Sequence, residues 1–278
     1  NMETDRYDYD EINRLYKTAT YVGDAAINPV ESELSYDAFG NIEQHPKLGT
    51  IKSTPSGRVL TIKGVATHKY NAAGQLTSTE NELLEYNALE KLRKLTTPSG
   101  ATTFEYDAGG TRVKRTAPDG TVSVYAGPYQ RVGDEHRYSI AAEGRVVAVG
   151  IQTGNNAYQV DWRYIHSDRQ GSAQVISNQS GGVGEKQPYD AWGEPRISPF
   201  DPTFAVQTPA GGNAFQSVDV GYTGHSATLD GPYINMRGRT YDPRLARFTS
   251  SDPIVQEPFD TQKNGYSYVR NNPTTFTG

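Results

Sequence analysis

Tyr106-Asp107-Ala108-Gly109-Gly110 decides how this chain is read: a tyrosine, an Asp or Asn, two further residues, then usually a glycine. The pattern recurs as Tyr36-Asp37-Ala38-Phe39-Gly40, Tyr70-Asn71-Ala72-Ala73-Gly74 and Tyr189-Asp190-Ala191-Trp192-Gly193. Tyr9-Asp10-Glu11-Ile12-Asn13 ends in Asn, the next most tolerant residue at positive φ. Tyr86-Asn87-Ala88-Leu89-Glu90 loses the small residue altogether, and Asp168-Arg169-Gln170-Gly171 has Ser167 in place of the Tyr. An Asp or Asn in the first turn position can cap backbone N–H groups two residues on, and a Gly in the fourth takes the left-handed conformation. The Tyr then lies on an incoming strand. The outgoing strand opens on a polar-apolar pair, as in Asn41-Ile42, Gln75-Leu76 and Thr111-Arg112-Val113. Each unit therefore reads as a β-hairpin with a short loop. Spacings of 34, 16 and 20 residues between Tyr36, Tyr70, Tyr86 and Tyr106 predict one long hairpin ribbon rather than identical solenoid coils.

Between the turns the residues favour strands. Thr102 to Tyr106 and Gly120 to Tyr125 alternate apolar with polar, and Arg145 to Ile151 is the most apolar strand candidate. Glu82 to Leu95 admits a short helix or a strand; the repeat running through it favours strand. Residues 197–219, rich in Pro, Gly and Ala, read as a loop or insertion. Composition agrees: 19 Tyr and 28 Gly suit short strands and tight turns. The absence of Cys excludes disulfides, thiolate metal sites and thiol catalysis. A net charge of -5 offers no electrostatic case for nucleic acid, and no apolar run is long enough to span a bilayer. His45, His68, His136, His166 and His225 are scattered without metal-ligand spacing, so neither a metal nor a cofactor is expected. Trp162 and Trp192 read as packing anchors. The start at Asn1-Met2-Glu3 has no signal-peptide pattern, and the chain is expected to be a fragment of a longer product.

The repeats resemble the YD repeats of the bacterial Rhs proteins, shared with Tc toxin C subunits and animal teneurins. The likeness sharpens toward the end. Tyr222-Thr223-Gly224-His225, Arg239-Thr240-Tyr241-Asp242-Pro243, Arg247-Phe248, Ser251-Asp252-Pro253, Asn264 to Val269 and Asn271-Asn272-Pro273 resemble the Rhs repeat-associated core. The resemblance implies an all-β fold: a hairpin ribbon over 1–196 curling into a shell, a loop or insertion over 197–219, and a closing core over 220–278 continuous with the ribbon. It further implies a container for a toxic C-terminal domain, which many members cut free just after the core by an aspartyl-protease-like reaction.

Cleavage by carboxylates needs a protonated acid and an activating carboxylate near the scissile bond. Asp242 and Asp252 could converge if the segment folds back, and Arg239 could orient one of them. By resemblance, Arg239 and Asp252 match the Arg and Asp associated with cleavage in Tc C subunits. The Asp one position after that Arg is Thr240 here, Ala246 stands where the family has Gly, and Gly278 stands where its next Asp would fall. Any enzyme activity is therefore at most a self-cleaving core, incomplete in this chain. Both Asp-Pro pairs also read as ordinary turns, with the Asp as cap and the Pro fixing φ; this role is favoured for Asp242 and stands beside catalysis for Asp252.

The expected function is the C-terminal shell and core of an Rhs polymorphic toxin, delivered between bacteria or into a host, for instance by type VI secretion. Expected partners are its own C-terminal toxin domain, further N-terminal shell repeats or a second copy, and an immunity protein or secretion component. The expected localisation is a secreted or delivered effector made in the cytoplasm. The alternative is a surface adhesion or carbohydrate-binding module.

Overall fold

The computed structural model describes residues 3–22, 30–154, 159–196, 217–227, 231–254 and 264–276. Most of the segment read as a loop or insertion, and Gly278, lie outside them. Structure among the described residues is almost wholly antiparallel β, with two short 3-10 turns. The chain divides into two compact units: Asn1–Glu80, Asp190–Val206 and Tyr241–Gly278 form the first, Asn81–Tyr189 and Gln207–Thr240 the second.

In the second unit an antiparallel meander runs from Leu83–Tyr86 to Val183–Lys186, every strand paired with the next. Residues 83–86 and 92–97 are strands, not a helix. The first unit holds a three-stranded sheet (Glu3–Tyr9, Leu15–Val22, Val30–Glu33) and a five-stranded one from Ser35–Tyr36 to Val65–Ala66. The hairpins Lys69–Tyr70 with Leu76–Ser78, and Tyr241–Asp242 with Arg247–Phe248, complete it.

The repeat has a fixed register. Each motif tyrosine pairs with the residue six positions on: Tyr9 with Leu15, Tyr36 with Ile42, Tyr70 with Leu76, Tyr86 with Leu92, Tyr106 with Arg112. In four of these hairpins the ladder shifts register on reaching the tyrosine itself. The bulge lets a five-residue loop close a hairpin that must twist. The Asp or Asn carboxylate or amide oxygen holds the loop by accepting two backbone N–H groups. Asp37 Oδ1 takes those of Phe39 and Asn41, each at 2.9 Å, and Asp107 Oδ1 those of Gly109 and Thr111, at 2.9 and 2.8 Å. The fourth turn residue is left-handed throughout: Asn13 (φ 66), Gly40 (74), Gly74 (80), Glu90 (59), Gly110 (78).

The tyrosine hydroxyl reaches back to the previous hairpin. Tyr36 donates to the Leu15 carbonyl at 2.6 Å and Tyr106 to that of Leu92 at 2.7 Å. In both cases the acceptor is the residue that pairs with the preceding motif tyrosine, so these two hairpins are stapled to the ones before them, whereas the Tyr70 hydroxyl accepts the Val59 N–H at 3.2 Å. Burial pushes the Tyr106 hydroxyl up to about 12, keeping it a neutral donor. The side chains opposite the tyrosines form the core: Leu15, Ile42, Leu76 and Leu92 are all buried. In the first unit Leu15, Ile42, Ile51 and Val59 pack with Trp192, Leu245 and Ala246; in the second Val149, Ile151, Ile165, Ala173, Ile176 and Val218 pack together.

Candidate functional site

The core motifs of the first unit form a clamp on the repeat turns. Turn carbonyls of left-handed residues leave the ladder and need outside donors. Four receive them from the core: Asn272 Nδ2 donates to the Asn13 carbonyl at 2.9 Å, Asn271 Nδ2 to Gly40 at 3.0 Å, Arg247 Nη1 to Gly57 at 2.9 Å and Tyr266 Oη to Gly74 at 2.6 Å. All four acceptor residues have positive φ. Asn264 Nδ2 adds a bond to Asn41 Oδ1 at 2.6 Å. Strand Arg247–Phe248 lies between Tyr241–Asp242 and the 266–267 segment, and the Leu76 N–H donates to Thr249 O at 2.8 Å. Beside it Tyr241, Phe248 and Tyr268 pack edge-to-face or tilted, with centroids 4.9 to 5.9 Å apart, and Tyr241 Oη donates to Trp192 O at 2.8 Å. The last turn is tight: Val269, Arg270 and Asn271 are successively left-handed (φ 41, 56 and 61), a rare conformation for a β-branched residue that the asparagine anchors hold in place.

The carboxylates expected to act in cleavage have separate partners. Asp242, 1% exposed, accepts the Arg244 backbone N–H and Nε through Oδ1 (3.0 and 2.9 Å) and Arg244 Nη2 through Oδ2 (2.7 Å). That forked pair lies within the Asp-Pro turn and holds the Asp242 carboxylate on its own hairpin. Asp252 is half-buried; its Oδ1 caps the Ile254 N–H at 2.9 Å and its own N–H donates to Gly265 O at 2.8 Å. Arg239, half-buried, falls in the second unit. Thr240, the residue after Arg239, is buried and holds a neutral hydroxyl.

Sequence reasoning missed two clusters in the first unit. Lys47 Nζ sits 2.6 Å from Glu194 and 3.7 Å from Asp190, both from the Tyr189 repeat. Burial raises the Glu194 carboxyl, with Asp190 adding to the rise and Lys47 opposing it. His45, 7% exposed, accepts the Lys47 and Leu48 N–H groups at Nδ1 (3.3 and 3.2 Å), and burial lowers it to about 4. Arg247 is buried with carbonyl oxygens as its side-chain acceptors, and burial lowers its pKa. His166 bonds Ser177 at 2.8 Å while Asp168 holds its own turn. No cluster of three or more His, Cys, Asp or Glu that could hold a metal occurs among the described residues.

The family model for the teneurin YD-shell matches residues 1–274. The chain belongs to that family. The all-β hairpin repeat and the Rhs resemblance agree with this membership. Over 95% of its length the YD-shell chain is 24% identical to the tRNA3(Ser)-specific nuclease WapA of Bacillus spizizenii and to the tRNA nuclease WapA of Bacillus subtilis. It spans 11% of the length of each. It is similar in fold to the crystal structure of TcdB2-TccC3-Cdc42, with a TM-score of 0.73 and 17% identity over 99% of this chain and 15% of that one. It is likewise similar to the Tc holotoxin pore of Photorhabdus luminescens carrying the TccC3 mutation D651A, with a TM-score of 0.64 and 15% identity over all of this chain and 16% of that one. No helix among the described residues is long and apolar enough to cross a membrane.

Proposed function

We propose that this YD-shell chain is the C-terminal shell and core part of an Rhs-type toxin, enclosing a C-terminal toxic domain that is freed by self-cleavage after the core. The observation that carries the reading is the clamp: core residues 247–272 are spent on holding the turns of four hairpins of the first unit, which is how a closing element would be locked onto a ribbon. Likeness to the Tc shells and to two nucleases many times longer than this chain supports a toxin setting. In this reading residues 1–196 are ribbon, 220–278 core, and the partners are the downstream domain, further shell repeats or a second copy, an immunity protein and a secretion component, for interbacterial or anti-host delivery.

For self-cleavage the candidate residues are Asp252 and Arg239, with Asp242 kept as structural support. The test is a chain extended past the core into its natural downstream sequence, expressed as wild type, Asp252→Asn and Thr240→Asp. Cleavage in the wild type but not in Asp252→Asn supports the assignment. Cleavage gained only with Thr240→Asp makes the natural core a closure without a protease. Equal cleavage in wild type and Asp252→Asn removes Asp252 from the reaction.

A further inference from the structure

One turn of the first unit, Asp190-Ala191-Trp192-Gly193-Glu194, breaks the wiring of the others. Elsewhere in the unit the second oxygen of the turn Asp takes a donor from the side chain four residues on. Arg14 Nε donates to Asp10 Oδ2 at 2.7 Å, and Asn41 Nδ2 to Asp37 Oδ2 at 2.8 Å. Asp190 Oδ1 follows the rule and accepts the Trp192 and Glu194 N–H groups, each at 2.9 Å. The side chain four residues on does not, because Glu194 brings a second carboxylate where Arg14, Asn41, Gln75, Lys91, Thr111 and Ser172 all carry donors. Both acids meet one amine. Lys47 Nζ lies 2.6 Å from Glu194 Oε2 and 3.7 Å from Asp190 Oδ2.

As a plain ion pair this is a poor arrangement. Two carboxylates share one ammonium largely away from water, with side chains 29% (Lys47), 16% (Asp190) and 11% (Glu194) exposed, beside buried Trp192 and His45. As the parts of an acyl condensation it is complete. Nζ is a nucleophile that stands off Oδ2 beyond hydrogen-bond distance, on a flexible stem that lets it swing toward Cγ. The two N–H groups on Oδ1 lie where negative charge develops when Cγ becomes tetrahedral. Glu194 touches Nζ, and burial makes its carboxyl hold a proton more firmly than usual, which suits a group that takes a proton and gives it back. A cavity of about 30 Å³ lined by Lys47, Asp190 and Trp192 has room for one released water. Holding amine and acid together is worth an effective concentration of about 10⁵–10⁸ M, which favours an amide that free partners in water would not form.

We propose that Lys47 and Asp190 condense to an intramolecular isopeptide bond, with Glu194 as the catalytic residue that relays the proton. Lys47 passes one proton to Asp190 Oδ2, so that a neutral amine faces a carboxylic acid. Nζ then bonds to Cγ. Its second proton moves through Glu194 to Oδ2, the Cγ–Oδ2 bond breaks, and water leaves. The amide keeps one proton on Nζ and Oδ1 as its carbonyl, still accepting the two turn N–H groups, and Glu194 ends as it began. The bond ties the turn after Ile42–His45 to Asp190, the first residue of the segment with which the chain re-enters the first unit. It is independent of toxin enclosure and of self-cleavage.

The test is intact-mass spectrometry of the full, folded chain after denaturation, followed by peptide mapping. The expected mass is that of the sequence less one water, with a branched peptide joining Lys47 to Asp190. Lys47→Arg keeps a cation beside both acids but lacks the amine, and should show the full sequence mass. Glu194→Gln should form the bond roughly 100-fold more slowly or not at all. The proposal is overturned if the folded wild type keeps its full mass on prolonged incubation, which leaves an ion pair only. It is equally overturned if the lost water persists in Lys47→Arg or maps to another site, or if Glu194→Gln forms the bond as fast as wild type.

Discussion

The Tyr266 hydroxyl donates to the Gly74 carbonyl at 2.6 Å, joining the end of the core to the turn of a hairpin 192 residues earlier. Tyr266 is also packed edge-on against Tyr70 of the same repeat, with centroids 5.9 Å apart. Its residue pair shows what the core motifs do: they satisfy carbonyls that the left-handed turn residues turn away from the sheet. Tyr266→Phe keeps the ring and strands the carbonyl. The expected loss is about 1–3 kcal/mol of unfolding free energy, read by denaturant titration. Tyr36→Phe, which removes the staple to Leu15, should lose a similar amount. Unchanged midpoints in both would show that the hydroxyls are solvated rather than structural.

Glu90 occupies the left-handed turn position that other repeats give to Gly or Asn, at φ 59, with its side chain exposed. Nothing packs away the steric cost of its Cβ. Glu90→Gly should therefore stabilise the chain by up to about 1 kcal/mol, the relief of strain exceeding the extra entropy glycine gives the unfolded state. Ala246 (φ 55) has the same conformation but is buried among Leu15 and Trp192, so Ala246→Gly gives back part of the gain as lost packing. Thermal melting of the two variants should rank Glu90→Gly above Ala246→Gly.

The turns were legible because they are local. Asp or Asn, two residues and Gly determine their own capping and φ, and even Glu90, without the small residue, follows the backbone its neighbours impose. The buried position also follows from spacing, since the residue opposite the tyrosine is six along in every hairpin. The long-range bonds were not legible. Tyr reads as a strand former from composition, yet what fixes Tyr36 and Tyr106 is a hydroxyl bond to a residue of the previous hairpin. Arg247-Phe248 and Asn271-Asn272 were recognisable as core motifs, but not that they serve the Gly57, Gly40 and Asn13 carbonyls.

His45 makes the stability of the first unit sensitive to mild acid. Its Nδ1 accepts two backbone N–H groups, which fixes the proton on Nε2 and leaves no room for a second proton at Nδ1. Burial lowers the folded value to about 4, from the ordinary imidazole value of about 6.5. Between those values the unfolded chain binds the proton and the folded chain does not, so stability falls as pH drops, by up to about 1.4 kcal/mol per pH unit. The raised Glu194 carboxyl acts in the opposite sense, since its folded form holds the proton more firmly. Comparing wild type with His45→Gln by denaturant titration from pH 7 to 4.5 isolates the histidine. The wild type should lose stability more steeply; equal slopes would mean that His45 titrates normally.

Asp242 and Asp252 both precede a proline, and their surroundings predict unequal responses to the same substitution. Asp242 is buried and spends both oxygens on Arg244, so Asp242→Asn breaks a forked ion pair and should cost about 1–3 kcal/mol. Asp252 is half-buried and caps the Ile254 N–H, a bond that an Asn side-chain carbonyl can replace. Asp252→Asn should shift the midpoint by no more than about 0.5 kcal/mol. Measured on the unextended chain, where no product complicates the transition, the two variants calibrate any cleavage experiment. A loss of cleavage in Asp252→Asn with an unchanged midpoint speaks for chemistry at that carboxylate. The same loss in Asp242→Asn with a lowered midpoint speaks only for a weakened hairpin. If Asp252→Asn instead proves the more destabilising, its carboxylate is a structural cap and the cleavage assignment falls with it.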